Sequence, residues 1–331
     1  MRALATDAPV YIDRAAVERL VSCRDAVTAV REVYAAALEP GMSPTRSVAR
    51  GGGSRLRAMA AVLPDGGVMG AKLVVQPRAA GTSYLIALFS QDNGRLLALL
   101  DGSAITPLRT AATSAVAVDA LHGVGGLRLG VLGSGAIARE HVRALACVRP
   151  IESLRVYSPN PEHCRAFAAE MGESLGVPHA AAGSARELVE GSATIVAAAR
   201  ARLEEPVLDG TWLGPGSLVL SIGSTLPEQR ELDVASLERA ELIVADDRSE
   251  VLETSGDCIA AAREGVELAG KTVELSAAVR DSSYRQLVRE GITIFKSVGS
   301  ALQDLALALL VFERGHDAAE PLALALARKE S

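Results

Sequence analysis

A glycine-rich turn in the middle of the chain constrains the fold more than any other feature. The apolar run Leu127–Leu132 is followed by Gly133-Ser134-Gly135-Ala136-Ile137-Ala138, a G-x-G-x-x-A pattern that opens a predicted helix. In such a turn Gly133 permits the sharp bend, Gly135 lets the backbone approach a pyrophosphate, and Ala138 allows close packing of helix on strand. The order strand, turn, helix therefore predicts a bound dinucleotide. The predicted contacts are Gly133, Ser134, Gly135, Ala136 and Ile137.

Strands and helices alternate through the part of the chain that follows this turn. The predicted strands are Leu127–Leu132, Ser153–Tyr157, Thr194–Ala198, Leu218–Ile222, Leu242–Ala245 and Thr293–Lys296. The predicted helices between them include Ile137–Cys147, Pro161–Met171, Ser184–Glu190 and Val234–Arg239. This alternation is typical of an α/β fold with a doubly wound parallel sheet, the Rossmann fold.

The N-terminal part has a different, α+β pattern. A helix is predicted over Ala15–Leu38, capped by Asp13, and a second helix from Thr106-Pro107 to Ala120, with Thr106 as N-cap. The predicted strands between them, the last two joined as a hairpin, are Leu56–Leu63, Val68–Val75, Tyr84–Ser90 and Arg95–Leu100. The apolar segment Ser300–Glu313 is expected to return to this part or to reach a partner subunit.

Composition excludes several classes of protein. The net charge of −6 argues against nucleic-acid binding as the main function, and the sequence lacks the ~18-residue apolar stretch of a membrane span. Four separated cysteines and no visible secretory signal predict a cytoplasmic protein with reduced thiols. The five histidines have no metal-ligand spacing, so no metal site is expected.

The end of the second predicted Rossmann strand bears on the choice of dinucleotide. An NAD-binding chain usually places Asp or Glu there to accept from the ribose 2′-hydroxyl. This sequence has Ser158 and Asn160, with Arg165 on the next helix, and these side chains can donate to a 2′-phosphate. The sequence favours NADP over NAD; an ordinary turn is the alternative reading of Ser158-Pro159-Asn160.

Three cationic residues upstream of the glycine-rich turn stand out, namely Arg46, Lys72 and Arg109. Only four of the 34 basic residues are lysines, and one of them, Lys72, lies inside an apolar strand. Arg109 is placed in the first turn of its predicted helix, where a cation opposes the helix dipole. Together with Arg46 they predict a site for an anionic substrate. Considered alone, Arg46 has the alternative reading of a solvated loop charge, and Lys72 that of an edge-strand residue whose ammonium group reaches solvent.

The sequence resembles the ornithine cyclodeaminase/mu-crystallin family. The residues that carry the resemblance are Gly70-Ala71-Lys72, Arg109–Ala115, Gly133–Ala138, Pro227 with Arg230–Asp233, and Phe295–Gly299 with Asp304. They follow the family's order over about residues 30 to 310. The resemblance implies a Rossmann domain inserted in a substrate and dimerisation domain made from both chain ends. In this sequence the two correspond to 119–299 and to 1–118 with 300–331.

The resemblance also implies roles for particular residues. Substrate would be bound by Arg46, Lys72, Arg109 and Val298, with Lys72 as the catalytic proton donor or acceptor. Further cofactor contacts implied by it are Ser83, Arg109, Thr110, Ala198, Ser221, Ile222, Gly223 and Ser297. A homodimer is expected.

Two departures from the family pattern narrow the activity. Thr225 stands where cyclodeaminases carry an aspartate, which disfavours ornithine cyclodeamination. Arg200 and Arg202 replace a usual threonine and suggest a more anionic substrate. The preferred expectation is an NAD(P)-dependent ketimine reductase or amino-acid dehydrogenase that acts on the C–N bond of a small imino or amino acid. A cyclodeaminase and a non-catalytic NADPH- and ligand-binding protein are the alternatives.

Overall fold

The computed structural model describes residues 8–64, 67–123, 125–199, 205–316 and 320–321. The predictions made for Arg200 and Arg202 lie outside these residues. The strands are β1 (Val10–Ile12), β2 (Ser47–Gly51), β3 (Ser54–Val62), β4 (Val68–Gln76), β5 (Ser83–Ser90), β6 (Leu96–Asp101), β7 (Leu127–Leu132), β8 (Ile151–Tyr157), β9 (His179–Ala181), β10 (Thr194–Ala197), β11 (Leu218–Ser221), β12 (Leu242–Ala245), β13 (Thr272–Glu274), β14 (Thr293–Lys296) and β15 (Glu320–Pro321). The α-helices are α1 (Arg14–Leu20), α2 (Cys23–Ala35), α3 (Gly102–Leu121), α4 (Ala136–Val148), α5 (Pro161–Leu175), α6 (Ala185–Glu190), α7 (Val234–Arg239), α8 (Arg248–Thr254), α9 (Gly256–Arg263), α10 (Leu275–Arg280), α11 (Tyr284–Glu290) and α12 (Ala301–Gly315).

The first sheet contains both ends of the described chain. Its order is β15-β1-β6-β5-β4-β3-β2, and every pairing is antiparallel except that of β1 with β6. Side chains alternate across a strand, and one face of β3, β4 and β5 packs against α12. On that face Met59 of β3 lies opposite Lys72 of β4, which lies opposite Ile86 of β5. The predicted α+β unit is therefore present.

The second sheet is the predicted Rossmann sheet. Its eight strands are all parallel, in the order β13-β12-β14-β11-β10-β7-β8-β9. The strand order reverses between β7 and β10, and ligands of such sheets bind in the crevice at that point. The predicted bounds of β7, β12, β14 and α7 are confirmed without change. The three strands are short and largely buried, and α7 begins directly after its capping residue Asp233.

Two helix predictions in the first part of the chain are wrong in part, although the predicted cap Asp13 does begin α1. The single helix expected over 15–38 is two helices, because Ser22 and Asp25 form a capping box that begins α2 just after α1 ends. The third helix begins at Gly102, capped by Asp101, and contains Pro107. Arg109 therefore lies beyond the first turn of α3, where the helix dipole has little effect on a charge, so the dipole gives no reason to expect an anion at Arg109.

The most apolar helices are buried at the centre of the molecule. The small side chains of α3 are largely enclosed, since the helix packs against α2 and α4, and α12 packs against α2, α3 and the first sheet. The helix α12 therefore lies against the N-terminal α+β part, one of the two places expected for the segment 300–313. In the ranges that the structure describes, no helix combines the length and apolar character needed to cross a bilayer.

Candidate functional site

A cavity of about 460 Å³ lies between the two sheets. One wall is formed by β3, β4, β5 and α3, and the opposite wall by the loops that follow β7, β10, β11 and β14. The second wall consists of the carboxyl ends of Rossmann strands, where this fold class binds its ligands. The cavity is of a size common for small-molecule sites.

Asp304 of α12 ties two of the predicted cations together. Its Oδ1 accepts from Lys72 Nζ at 2.7 Å and from Arg109 Nε at 3.2 Å, and Asp304 and Lys72 are fully buried. Lys72 also donates to Thr106 Oγ1 at 2.7 Å. Burial lowers the pKa of Lys72 to about 8; the Asp304 carboxylate opposes this shift and Arg109 adds to it. A lysine with such a pKa can exchange a proton near neutral pH.

Arg46 reaches the cavity from the loop before β2. Its guanidinium pairs with the buried Glu250 through Nε, and its Nη2 donates to the carbonyls of Val298 and Gly299 at 2.8 Å. Arg109 Nη1 donates to Gln303 Oε1 at 2.7 Å. Nη1 of Arg46 and Nη2 of Arg109 therefore keep N–H donors that no described residue uses, and both residues line the cavity.

These contacts correct the argument for an anion site. Lys72 and Arg109 were expected to need a substrate anion as partner, but Asp304 supplies one from within the protein. The structure does bring Arg46, Lys72 and Arg109 to one cavity, as predicted. The cavity suits a carboxylate because Arg46 Nη1 and Arg109 Nη2 keep N–H donors that no described residue uses, even though both arginines already have carboxylate partners.

The glycine-rich turn has room for a pyrophosphate. Gly133 has φ of +116°, and a Cβ there would lie 2.7 Å from the carbonyl oxygen of Ala198. A Cβ on Gly135 would meet nothing within 4 Å, and Gly135 caps α4 without any side-chain hydrogen bond. The first backbone N–H groups of α4 are thus available to an anion, so these residues fit a dinucleotide.

The loop after β14 is fixed by Asp246, which follows β12. Its carboxylate accepts from Ser297 Oγ at 2.7 Å and from the backbone N–H groups of Val298 at 3.0 Å and Gly299 at 2.8 Å. Gln303 donates to the same carboxylate at 3.0 Å. Ser297 and Val298 line the cavity as predicted, and Asp246 sets their position.

A second buried ionic cluster supports the loop after β11. Glu231 Oε2 accepts from the N–H groups of Ile222 at 3.1 Å and Gly223 at 2.7 Å, and Lys296 donates to Ser221 and Asp257, both at 2.8 Å. Burial, which outweighs the attraction of Lys296, raises the pKa of Glu231 to about 8. Burial opposes the charged form of Lys296, yet Asp257 and Glu231 raise its pKa. This cluster holds Ile222 and Gly223 against the cavity.

Most of the predicted contacts line the cavity, and some do not. Those that line it are Arg46, Lys72, Arg109, Thr110, Gly135, Ala136, Ile137, Ala198, Ile222, Gly223, Ser297 and Val298. The Ser221 side chain faces the buried cluster instead, donating to Glu231 at 3.0 Å. Ser83 is exposed at the start of β5 and is not among the cavity residues, because its pairing with Val75 places it on the sheet face opposite to Lys72.

The residues predicted to select the cofactor lie beside the glycine-rich turn. Ser134 Oγ donates to Ser158 Oγ at 3.0 Å, so the end of β8 touches the turn. Asn160 uses its Oδ1 to cap α5, while its amide nitrogen and the exposed Arg165 have no hydrogen bond to a described residue. No carboxylate replaces the missing Asp or Glu at positions 158 and 160.

Several residues of the site were missed in the sequence. Asp304 carries part of the family resemblance but was given no role, and Gln303 was not singled out; the two form a polar pair among apolar residues at the start of α12, a pattern that could have marked them. Arg57 and Tyr84 line the cavity on the same face as Lys72, but finding them requires the register of β3, β4 and β5. Thr225 lines it too, and no described lining residue is an aspartate or glutamate.

The fold and cavity define a dinucleotide-binding protein of the Rossmann class, with a second sheet and a cavity lined by cations at the strand-order switch. The model of the ornithine cyclodeaminase/mu-crystallin family matches residues 11–319. The chain belongs to this family.

Named relatives lie in the same family. The ketimine reductase mu-crystallin of Rattus norvegicus is 32% identical over 228 residues, 69% of this chain and 68% of that protein. Two solved structures are similar over 95% of this chain and 100% of theirs. The protein described as a probable ornithine cyclodeaminase from Bordetella pertussis Tohama I has a TM-score of 0.83 at 31% identity. The Δ1-pyrroline-2-carboxylate reductase of Thermococcus litoralis, in complex with NADH and L-proline, has a TM-score of 0.84 at 30% identity.

The two glycines of the turn should respond differently to alanine. Gly133→Ala places a Cβ against Ala198 in a left-handed backbone conformation, so it should lower the free energy of unfolding by about 1–3 kcal/mol. Gly135→Ala fills open space, so it should leave unfolding unchanged while weakening NADPH binding by at least about tenfold (~1.4 kcal/mol). Chemical denaturation and fluorescence titration measure the two effects. Equal loss of stability in both variants would contradict this assignment.

Proposed function

We propose that this protein is an NAD(P)-dependent imine reductase that reduces the C=N bond of small α-imino acids. The proposal rests mainly on one observation: two buried guanidinium groups and a lysine with a lowered pKa share a cavity at the carboxyl ends of the Rossmann strands. The names of the relatives support it. A cyclodeaminase is disfavoured, since Thr225 stands where a carboxylate would be needed and the described lining contains none.

Each cation has a part in the proposed reaction. The free Nη1 of Arg46 and Nη2 of Arg109 hold the substrate carboxylate, which suits the planar guanidinium. When bound, the reduced nicotinamide supplies a hydride to the carbon of the C=N bond. Lys72 Nζ provides the proton for the substrate nitrogen, and two of its three N–H groups are already oriented by Thr106 and Asp304.

Substrate oxidation and reduction assays test this function. NADPH and NADH oxidation is followed with Δ1-pyrroline-2-carboxylate, with Δ1-piperideine-2-carboxylate, and with pyruvate in ammonium buffer, where the imine forms in solution. We expect turnover with at least one imine and no release of ammonia from ornithine. Ammonia release from ornithine without net cofactor oxidation would identify a cyclodeaminase. Tight NADPH binding without turnover of any imine would identify a non-catalytic binding protein.

The proposed role of Lys72 predicts a particular pH dependence. Lys72 carries its proton below its pKa of about 8, so kcat/KM for imine reduction should fall as the pH rises through that value. Lys72→Met should lower kcat by about 10²-fold to 10⁴-fold, the range of general acid catalysis. Lys72→Arg keeps the positive charge but does not release a proton at these pH values, so it should be similarly slow. Wild-type activity in Lys72→Arg would mean that Lys72 acts only as a charge.

We also propose that NADP is the preferred cofactor. Ser158 lies at the end of β8 beside the glycine-rich turn, and Asn160 and Arg165 have donors free for a 2′-phosphate. Ser158→Asp should repel that phosphate and accept from a 2′-hydroxyl. The ratio of kcat/KM for NADPH to that for NADH should then fall by at least about tenfold (~1.4 kcal/mol). An unchanged ratio would contradict the preference.

The proposed domain division follows from packing. Residues 1–118 with 300–331 form the substrate domain and 119–299 the dinucleotide domain in this proposal. Its support is that α12 packs against β3, β4 and β5 rather than extending the Rossmann domain. The division at 118 falls inside α3, which is continuous to Leu121.

A homodimer is proposed from the outer face of the first sheet. By register, Leu56 and Val62 of β3, Val75 of β4 and Tyr11 of β1 share the face opposite to α12, and all four are large exposed apolar side chains. A contiguous apolar sheet face of this kind marks an interface.

Replacing one side chain of this face tests the dimer. Leu56→Arg adds a charge to an exposed site, so the fold should persist while the dimer dissociates. Leu287→Arg on α11, where the leucine is equally exposed, is the matched control and should leave the dimer intact. Light scattering coupled to size-exclusion chromatography gives the masses. A dimer that survives Leu56→Arg, or a monomeric wild type, would contradict the proposed interface.

A further inference from the structure

Arg57 adds a fourth cation to the cavity. It lies on β3 opposite Val74, two residues from Met59, which lies opposite Lys72. Residues two apart on a strand share a face and are separated by about 7 Å. Arg57, Val74 and Tyr84 all line the cavity. The Arg57 guanidinium therefore faces the same space as Lys72, displaced along the strand.

Arg57 differs from the other cations of the cavity in having no counter-ion. Arg46 pairs with Glu250, and Lys72 and Arg109 pair with Asp304. The half-buried Arg57 guanidinium makes no hydrogen bond or ion pair with any described residue. Burial, and then the nearby charge of Arg46, lower its pKa to about 10. A guanidinium left partly desolvated among like charges is costly, and an anion bound there would offset the cost.

The preceding arginine on the same face of β3 shows what a structural arginine looks like in this strand. Arg55 donates to Gln76 Oε1 at 2.5 Å through Nη2 and to Glu228 at 3.1 Å through Nη1. Arg55 does not line the cavity. The difference between these two arginines, two positions apart, is that one is satisfied by the protein and the other faces the substrate space.

The cations of the described cavity also outnumber the carboxylates that pair with them. Arg46 pairs with Glu250, and Lys72 and Arg109 share Asp304, while Arg57 pairs with neither. Another nearby buried carboxylate, Asp246, accepts from Ser297, Gln303 and the backbone N–H groups of Val298 and Gly299. One substrate carboxylate at Arg46 and Arg109 would therefore still leave the Arg57 end of the cavity without a counter-ion.

We propose that Arg57 binds a second carboxylate, so that the substrates are short α-imino dicarboxylates of four or five carbons. This inference rests on the proposed imine reductase function. The reduction adds one hydride to the imine carbon and one proton to the nitrogen, and oxidises one NAD(P)H. Arg57 takes no part in the bond changes; it determines which side chain the substrate carries.

Matched keto acids in ammonium buffer test the proposal. Pyruvate gives the monocarboxylate imine, and oxaloacetate and 2-oxoglutarate give dicarboxylate imines of four and five carbons. For the wild type, kcat/KM should be at least about tenfold higher with one of the dicarboxylates, equal to ~1.4 kcal/mol. In Arg57→Gln the ratio of dicarboxylate to pyruvate kcat/KM should fall about 100-fold, mainly through KM, as expected for a lost buried charge pair. Arg55→Gln should keep the wild-type ratio.

A binding measurement without turnover accompanies the kinetics. Succinate should raise the melting temperature of the wild type and of Arg55→Gln more than propionate does at equal ionic strength. Arg57→Gln should lose that difference. A wild type that reduces pyruvate-derived or cyclic imines, with a ratio and a succinate effect unchanged by Arg57→Gln, would overturn the role of Arg57 and leave the reductase function intact. Absence of turnover with every imine would overturn the proposed function and this inference with it.

Discussion

The carboxylate of Asp304 is the interaction on which the candidate site depends. It accepts from Lys72 on β4 and Arg109 on α3 while belonging to α12, the last helix among the residues that the structure describes. Removing one partner from a buried ion pair typically costs about 3–5 kcal/mol, because the other charge is left uncompensated. Asp304 therefore both positions two cations of the cavity and fastens the C-terminal helix to the N-terminal sheet.

The same arrangement recurs around the cavity. Glu250 lies behind Arg46, Asp246 holds the loop of Ser297 to Gly299, and Glu231 holds Ile222 and Gly223. The acidic groups lie behind the described lining and the basic groups within it. A cavity built in this way presents fixed positive charge to a ligand while Arg46, Lys72 and Arg109 remain paired on their far sides. Preorganised charge of this kind stabilises a bound anion without rearrangement of the protein.

The sequence predicted the Rossmann half of the molecule better than the rest. Short strands such as the fully apolar β12 are bounded by turns and need no tertiary information, whereas the start of α3 does. Thr106-Pro107 has the residue types of a helix start, but the N-cap of α3 is Asp101, five residues earlier than Thr106. Thr106 instead accepts from Lys72.

The missing parts of the site are long-range. Lys72 and Asp304 are 232 positions apart, so their pairing is invisible to local pattern. Arg57 depends on the register between β3 and β4, because a shift of one residue would turn it to the opposite face of the sheet. Local residue types therefore identified Arg46, Lys72 and Arg109, while the counter-ions and the fourth cation required the fold.

Lys72 is buried against Asp304, and its pKa is lowered. Because the chain has only four lysines, the pKa of Lys72 can be measured directly. Protein labelled with ¹³C-lysine has only four lysine Cε signals, and Lys72→Arg identifies the one that belongs to Lys72. A pH titration followed by NMR should show that signal shifting with a midpoint near pH 8. A midpoint at the ordinary value of 10.5 would contradict the lowering of the Lys72 pKa by burial, and with it the expected fall of kcat/KM near pH 8.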